Sequence, residues 1–142
     1  MIEDNEADID LALDALRQTH FNVEIRVMRN GKEAFDYLEG RGDYTDRATS
    51  PLPHFILLDL NLPGLDGRDL LRWIKTTPSL KRIPIIVLTA SEAEEDIALS
   101  YDHGANSYLI KPVDFTAFLD LVKKIGEYWH RWNVDPPMPR TS

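Results

Sequence analysis

The sequence predicts an α/β fold in which helices cover both faces of a doubly wound parallel sheet. Patterns typical of strands and helices alternate along most of the chain. Residues 54–60 and 83–89 are two nearly continuous apolar runs, as expected for strands that helices bury on both faces. A helical pattern lies between these runs, and strand, helix, strand in this order is the unit from which parallel sheets are built.

The first helix is predicted over residues 5–18, where apolar side chains recur at helical spacing and Asp4 or Asn5 can cap the first turn. A strand should precede this helix, but only Met1 and Ile2 stand before the acidic residues. A central strand needs more than two residues. We therefore expect that the first strand is truncated in this sequence and that the natural protein begins further upstream.

The next two elements are a strand and a helix. Residues 23–27 alternate apolar and polar side chains, which predicts a strand with one open face. Residues 31–40 have a helical pattern that ends at Gly40. The polar, proline-bearing stretch 41–53 that follows has no periodicity, and we interpret it as a surface loop.

The second half of the chain continues the alternation. After the apolar run 54–60, a helix is predicted from Gly67 that stops at Pro78. The remaining elements are a strand at 83–89, a loop and short helix within 91–105, a strand at 106–111 and a closing helix within 114–132. This order predicts a sheet whose ligands bind beyond the carboxyl ends of its strands.

Composition narrows the classes of function. The chain has 142 residues, which suits one domain, and it has no cysteine, so thiolate metal sites and cysteine nucleophiles are excluded. Its net charge of −8 argues against nucleic-acid binding. The apolar runs are too short to span a membrane, and the acidic N-terminus does not resemble a signal peptide. We expect a cytoplasmic protein that binds neither nucleic acid nor membrane.

Charged and polar residues follow the predicted strands where parallel strands end together. Three carboxylates in one crevice repel one another unless a cation neutralises them. Magnesium suits such a cluster because it prefers oxygen ligands and keeps several of its waters. The residues at successive strand ends are Glu3 and Asp4, Asp59, Thr89 and Lys111.

These residue types meet the needs of phosphoryl transfer. Asp59 could act as the nucleophile toward phosphorus, while Thr89 and Lys111 hold phosphoryl oxygens. Taken singly, each residue has a simpler interpretation: a helix cap, a satisfied hydroxyl or a solvated charge. Their joint occurrence at successive strand ends favours a functional site.

The sequence resembles the receiver domain of two-component response regulators over essentially its whole length. The likeness rests on "EDN" at 3–5, "LLDLNLPGLDG" at 57–67, "LTA" at 88–90 and "YLIKP" at 108–112. The spacings also match, with thirty residues from Asp59 to Thr89 and twenty-two from Thr89 to Lys111. The resemblance implies a five-stranded, flavodoxin-like sheet of order 2-1-3-4-5.

The resemblance assigns a role to each matching residue. It implies that Asp59 accepts the phosphoryl group and that Lys111 contacts it, with Thr89 and Tyr108 as switch residues. Pro112 is expected to be a cis proline that aims Lys111 into the site. The expected ligands of Mg²⁺ are Glu3, Asp4, Asp59 and the backbone carbonyl of Asn61.

The implied function is that of a single-domain regulator that receives a phosphoryl group from a sensor histidine kinase and is not a substrate-turnover enzyme. We expect a receiver domain over 1–127 and an aromatic, proline-rich extension over 128–142. This extension and the loop at 41–53 resemble small regulators paired with bacterial phytochromes, which suggests such a kinase as the partner.

Two alternatives remain. A phosphatase of the haloacid dehalogenase type also uses a strand-end aspartate, but it needs a second aspartate where this chain has Asn61. A degenerate receiver could act as a scaffold, although no acid, hydroxyl or lysine of the pattern is missing.

The output is expected to be a binding surface for an unknown downstream protein, formed by the fourth helix, fifth strand and fifth helix. Aromatic residues often anchor interfaces when they exceed what a core needs. On this basis Tyr128, Trp129 and Trp132 are predicted to anchor a homodimer. The alternative is that this segment folds back onto the domain with the help of Pro136 and Pro137.

Overall fold

The described residues, 1–19 and 23–139 of a computed structural model, form a parallel sheet of three strands in the order β1-β2-β3. The strands are β1 (Ile56–Leu58), β2 (Ile85–Thr89) and β3 (Ser107–Ile110). Every residue of β1 and β2 is buried, whereas β3, paired with β2 alone, is only partly buried. The apolar runs of the sequence therefore form buried parallel strands, as predicted.

The edge of the sheet beside β1 is reduced to isolated bridges. Ile2 makes parallel bridges with Met28 on one side and Leu58 on the other. The predicted strand over 23–27 is wrong, because only Met28 pairs there. Within the described part of the chain, backbone hydrogen bonds to this segment come only from Met1 and Glu3, on either side of Ile2, and they reach Arg26 and Met28, so no continuous ladder forms over 23–27. Three strands are formed, and the five-strand order remains a prediction.

The helices lie where the sequence predicts them. They are α1 (Glu6–Arg17), α2 (Gly31–Glu39), α3 (Gly67–Thr76), α4 (Glu94–Asp102) and α5 (Phe115–Glu127). Asn5 caps α1 by accepting a hydrogen bond from the Asp8 backbone at 3.0 Å, and Asp66 caps α3 in the same way at 2.7 Å from the backbone of Arg68. Gly40 ends α2 with φ of 75°, a conformation that favours glycine.

Side chains on the two faces of the sheet pack against different helices, as in a doubly wound sheet. Leu58 and Val87 pack with apolar residues of α2 and α3. Leu88 packs with α1 and α5 on the opposite face. Gly126 allows α1 and α5 to approach closely, because a Cβ atom there would lie 2.7 Å from the Leu16 side chain.

The predicted surface loop at 41–53 is mostly exposed and is tied to the end of α2. The Arg47 guanidinium donates hydrogen bonds to the carbonyls of Tyr37, Leu38 and Ser50. The Tyr37 hydroxyl in turn donates to the Pro51 carbonyl at 2.6 Å. These bonds give the loop a fixed path although it has little regular structure.

The segment after α5 folds back onto the domain. Residues 128–132 form a short π-helical turn, and Trp129 lies 6.4 Å from Phe55 between ring centres. Asp135 pairs with His54 at 2.7 Å, and the Pro137 carbonyl accepts a hydrogen bond from Arg82 at 2.9 Å. These contacts agree with the alternative that the segment returns to its own domain.

Among the described residues, none of the helices has the length and apolar character needed to cross a lipid bilayer.

Candidate functional site

The carboxyl ends of the strands bring together the residues that the sequence singles out. Asp59 follows β1, Thr89 ends β2 and Lys111 follows β3. The Lys111 backbone donates a hydrogen bond to the Thr89 carbonyl at 2.8 Å, which continues the pairing of β2 and β3 by one residue. Glu3 enters from the edge beside β1, where its backbone donates to the Met28 carbonyl at 2.9 Å.

Lys111 is the centre of the charge cluster. Its ammonium lies 2.8 Å from Glu3 Oε2, 2.8 Å from Asp8 Oδ2 and 2.9 Å from Asp59 Oδ2. Burial by itself disfavours the charged form, but hydrogen bonds with Asp8, Glu3 and Asp59 outweigh burial and raise the pKa of Lys111. The lysine is therefore charged at every physiological pH.

Asp59 is buried with both carboxylate oxygens hydrogen-bonded. Oδ1 accepts from the Thr89 hydroxyl at 2.8 Å and from the Asn61 backbone at 3.1 Å, and Oδ2 accepts from Lys111. Burial would raise the pKa of Asp59, yet the hydrogen bond from Lys111 and those from Asn61 and Thr89 together lower it below its ordinary value. Asp59 is thus an ionised carboxylate held in one orientation, as a nucleophile requires.

Glu3 differs from Asp59 although the two side chains share Lys111. Glu3 is 2 % exposed, and burial followed by repulsion from Asp59 raises its pKa to about 7, against the opposing effect of Lys111. Because burial makes the charged form of Glu3 costly, a cation bound nearby would stabilise that charged form.

The carboxylates of Glu3, Asp4 and Asp59 fit a divalent cation. One oxygen from each lies within 4.8 Å of the others, and Asp4 is exposed to solvent. Hard carboxylate oxygens around a site that opens to water are the ligands that Mg²⁺ and Mn²⁺ take. The backbone of Asn61 lies beside this cluster through its bond to Asp59, and the metal-binding role of its carbonyl remains a prediction.

Asp8 is part of the charge cluster and was not predicted. It is the third residue of α1, where an acidic side chain is usually explained by the helix dipole. The available signal was its position one helical turn beyond Asp4, which could place both acids near the same strand end.

A second polar cluster connects the start of α3, the start of α4 and the loop after β2. The ion pair in it, between Arg68 and Asp96, was not predicted. Arg68 of α3 binds Asp96 of α4 through two hydrogen bonds of 2.7 and 2.8 Å. Asp96 also accepts from the Ser91 hydroxyl at 2.6 Å, and the bonds from Arg68 and Ser91 lower the pKa of Asp96 to about 2. The Tyr108 hydroxyl donates to the Ser91 carbonyl at 2.9 Å, so the predicted switch tyrosine contacts the loop after β2.

The prediction of a cis proline at Pro112 is wrong for this structure. The described residues contain no cis peptide bond. Lys111 reaches the three carboxylates through its side chain while its backbone stays paired with Thr89, so a trans bond is sufficient to aim it. The trans form is also the less costly one for a bond before proline, by roughly 0.5–1 kcal/mol.

The predicted interface aromatics lie away from the charge cluster. Trp129 packs near Phe55, which precedes β1, whereas Asp59 follows β1 at its opposite end. Tyr128 and Trp132 are 53 % and 65 % exposed, so they do not belong to the core.

A parallel α/β sheet that presents a buried aspartate, bonded to threonine and lysine and flanked by an acidic pair, defines a receiver domain. The chain belongs to this family: the model of the response regulator receiver domain matches residues 1–123. The implied flavodoxin-like class is therefore confirmed, and the family is one of signalling proteins rather than substrate-turnover enzymes.

The chain is similar to response regulator Rcp1 in both sequence and structure. The chain is 40 % identical to response regulator Rcp1 of Synechocystis sp. over 129 residues, which cover 91 % of this chain and 86 % of Rcp1. The Mn²⁺-bound structure of Rcp1 matches with a TM-score of 0.89, 38 % identity and 96 % of each chain covered.

Two further proteins are similar to the same degree. The structure of the phosphorylated cyanobacterial phytochrome response regulator RcpA matches with a TM-score of 0.90 and 43 % identity, covering 96 % of this chain and 95 % of RcpA. The probable methanogenesis regulatory protein FilR2 of Methanothrix harundinacea is 40 % identical over 139 residues, which cover 96 % of this chain and 85 % of FilR2.

Proposed function

We propose that this protein is a single-domain response regulator that accepts a phosphoryl group from a sensor histidine kinase on Asp59. The observation that carries the proposal is the environment of this carboxylate: it is buried and oriented by Thr89, Asn61 and Lys111, whose hydrogen bonds favour its ionised form. The phosphorylated state of RcpA, a relative with 43 % identity, supports the same chemistry here.

In the proposed reaction an oxygen of Asp59 attacks the phosphorus atom of a phosphohistidine. The new P–O bond forms as the P–N bond breaks, and the electron pair of that bond stays with the imidazole. Lys111 and the Thr89 hydroxyl each exchange an acceptor oxygen of Asp59 for a phosphoryl oxygen, where negative charge develops. A bound divalent ion supplies positive charge that neutralises the phosphoryl oxygens.

We propose Mg²⁺ as that ion, with Glu3, Asp4, Asp59 and the Asn61 carbonyl as its ligands. The carboxylate cluster supports a divalent metal at this position, and the Mn²⁺-bound form of Rcp1 supports divalent-metal binding in this group of proteins. The abundance of oxygen ligands and the solvent exposure of Asp4 favour an ion that keeps part of its water shell.

For signalling, we propose that Thr89 and Tyr108 change position when Asp59 is phosphorylated and so alter a surface formed by α4, β3 and α5. We assign residues 1–127 to the receiver domain and residues 128–142 to an extension. For the sheet we propose the five-strand family order 2-1-3-4-5, in which the segments around Ile2 and Met28 are strands 1 and 2, and β1, β2 and β3 are strands 3, 4 and 5. The bridges of Ile2 on both sides support this order.

A bacterial phytochrome is the proposed type of kinase, and the protein is proposed to act in the cytoplasm. The phytochrome regulator RcpA supports this pairing, whereas FilR2, at 40 % identity, belongs by name to the regulation of methanogenesis. The downstream protein is unknown, and we propose homodimer formation through the aromatic residues that follow α5.

The direct test is phosphorylation with acetyl phosphate, followed by intact-mass measurement with and without Mg²⁺. We expect one added phosphoryl group in the presence of Mg²⁺ and none with Asp59→Asn. The matched control is Asp69→Asn, which removes an exposed carboxylate from α3 and should leave labelling unchanged. Equal labelling of Asp59→Asn and the wild-type protein would contradict the assignment.

A further inference from the structure

The ammonium of Lys111 is surrounded by carboxylates: it donates hydrogen bonds to Asp8 and Asp59 and lies in ion-pair contact with Glu3. An ammonium group has three N–H donors. Three acceptors surround it, one each from Glu3, Asp8 and Asp59, at 2.8 to 2.9 Å. A phosphoryl oxygen can therefore be bound only after at least one of these acids gives up its contact.

The three carboxylates around Lys111 differ in whether they also belong to the candidate metal site. Glu3 and Asp59 also belong to the carboxylate cluster that fits a divalent cation, whereas Asp8 does not. If Glu3 and Asp59 held a divalent cation, its charge would repel the ammonium, and their oxygens would be less available to Lys111. Asp8 is then the remaining carboxylate partner of Lys111 in the cluster.

The position of Asp8 suits this task. Its backbone is fixed in the first turn of α1 by the hydrogen bond to Asn5, so the carboxylate extends from a rigid element. Its side chain is 23 % exposed, compared with 11 % for Lys111, which places the pair at the border of the site. The contact can persist while the interior of the site rearranges.

We infer that Asp8 is a positioning residue: when the divalent cation binds, it keeps the Lys111 ammonium off the carboxylate oxygens that hold the cation, yet close enough to the site to reach a phosphoryl group on Asp59. Without Asp8, Lys111 would remain on Glu3 and Asp59 and compete with the cation for their oxygens. This inference deepens the proposed function and rests on its metal site. It differs from a helix-dipole role for Asp8, because it acts through Lys111.

The test measures divalent-ion binding without any phosphoryl donor, by isothermal titration calorimetry with Mg²⁺ and with Mn²⁺. We expect Asp8→Asn to weaken binding by roughly threefold to tenfold, the range set by the loss of one charged contact. Asp8→Glu should restore part of the affinity. The matched control is Asp10→Asn, which removes an equal charge from an exposed position on the same helix and should change affinity little.

The decisive comparison repeats Asp8→Asn in a Lys111→Met background. If Asp8 acts by positioning the ammonium, its removal should have almost no further effect on ion binding once the ammonium is gone. An equally large loss in both backgrounds would overturn the inference, since Asp8 would then act on the ion through its charge alone. An unchanged affinity in Asp8→Asn would overturn it as well.

The thermal unfolding midpoint of the metal-free variants distinguishes the positioning role of Asp8 from a purely structural role in α1. A helix-capping or dipole effect of Asp8 would lower the midpoint without changing ion affinity, and that result would also contradict the inference. A different result would refute the proposed phosphoryl-acceptor function. A wild-type protein that binds the ion but takes no phosphoryl group on Asp59 would refute the acceptor role and leave the positioning role of Asp8 standing.

Discussion

The Thr89 hydroxyl donates a hydrogen bond of 2.8 Å to Asp59 Oδ1 and so connects the ends of two neighbouring central strands. Thr89 is completely buried, so the bond is not shared with water. A phosphoryl group on Asp59 would offer this hydroxyl a more strongly charged acceptor. We therefore expect phosphorylation of Asp59 to shift Thr89 and the backbone that leads to α4.

This bond predicts different behaviour for two replacements of Thr89. Thr89→Val keeps the shape but leaves Asp59 with one donor fewer, so we expect a raised pKa for Asp59 and slower phosphorylation by acetyl phosphate. Thr89→Ser keeps the hydroxyl and should remain close to the wild type. Rates of labelling at fixed Mg²⁺ concentration check this, and equal rates for valine and serine would contradict the role of the hydroxyl.

Lys111→Ala should separate phosphorylation from signalling. The metal ligands and Asp59 remain, so labelling should continue at a reduced rate. The charge-assisted contact to the phosphoryl group is lost, so the phosphorylated protein should not reach its active conformation. Comparison of amide hydrogen exchange in α4 and β3 before and after phosphorylation would show this. A variant with the full wild-type change in exchange would contradict the prediction.

The ion pair of Arg68 and Asp96 predicts a pH dependence of stability. The pKa of Asp96 is lowered to about 2 in the folded protein, below its ordinary value of 3.8. Because the folded state holds the proton less tightly than the unfolded state, the contribution of Asp96 is complete above about pH 4 and is lost as the pH falls toward 2.

The measurement is urea unfolding of the wild type and of Asp96→Asn between pH 5 and pH 2.5. The difference in their free energies of unfolding should shrink across this range. Glu95→Gln is the matched control, since it removes an exposed acid from the same first turn of α4. A difference between wild type and Asp96→Asn that stays constant with pH would show that the ion pair does not contribute in this way.

Much of the fold follows from local sequence patterns. The central strands are recognisable because each is continuously apolar, and the helices because their caps and apolar stripes agree. The strand prediction for 23–27 is wrong because the alternation is a local pattern, whereas a strand needs a continuous partner, and here only the bridge of Ile2 to Met28 is formed. Pairing of this kind is a tertiary property.

The site was predictable to the extent that its residues stand at strand ends. Asp59, Thr89 and Lys111 meet because parallel strands end at one edge, which sequence order already implies. Asp8 reaches Lys111 from a helix, at a separation of 103 residues, and Arg68 joins Asp96 across two helices. Helical spacing can place Asp8 on the same side as Asp4, but it does not specify the side chain on another element that Asp8 contacts, so these pairs were found only in the structure.

Two glycines in helices should respond differently to alanine. At Gly67 a Cβ atom would lie 2.4 Å from the Asp59 carbonyl and 2.7 Å from the Leu60 Cα atom, so backbone would have to move. At Gly126 the only close atom is the end of the Leu16 side chain, which can rotate. Alanine also favours a helix over glycine by about 1 kcal/mol.

We therefore expect Gly67→Ala to lower the free energy of unfolding by about 2 kcal/mol or more, typical of forced overpacking, and to slow phosphorylation because Asp59 is displaced. Gly126→Ala should be nearly neutral. Denaturant unfolding combined with acetyl phosphate labelling checks both. Equal stabilities of the two variants would contradict the proposed contact between α3 and the strand end.

The aromatic residues after α5 were predicted to act together as a dimer anchor, but the structure gives them different surroundings. Trp129 packs near Phe55 and edge-on to Tyr128, at 6.4 and 5.1 Å between ring centres. Trp132 is 65 % exposed. Trp129→Ser should therefore destabilise the monomer, whereas Trp132→Ser should leave the free energy of unfolding almost unchanged.

If the aromatic segment anchors a homodimer, Trp132→Ser should shift the protein toward monomers at micromolar concentration while Asp59 is still phosphorylated. Sedimentation equilibrium of both proteins, with and without a phosphoryl analogue, measures this. Val134→Ser is the matched control, because Val134 is 88 % exposed in the same segment but offers far less area to an interface. An unchanged mass for Trp132→Ser under both conditions would assign the segment to intramolecular packing, through Trp129 and the contacts of Asp135 and Pro137, and would leave α4, β3 and α5 as the proposed output surface.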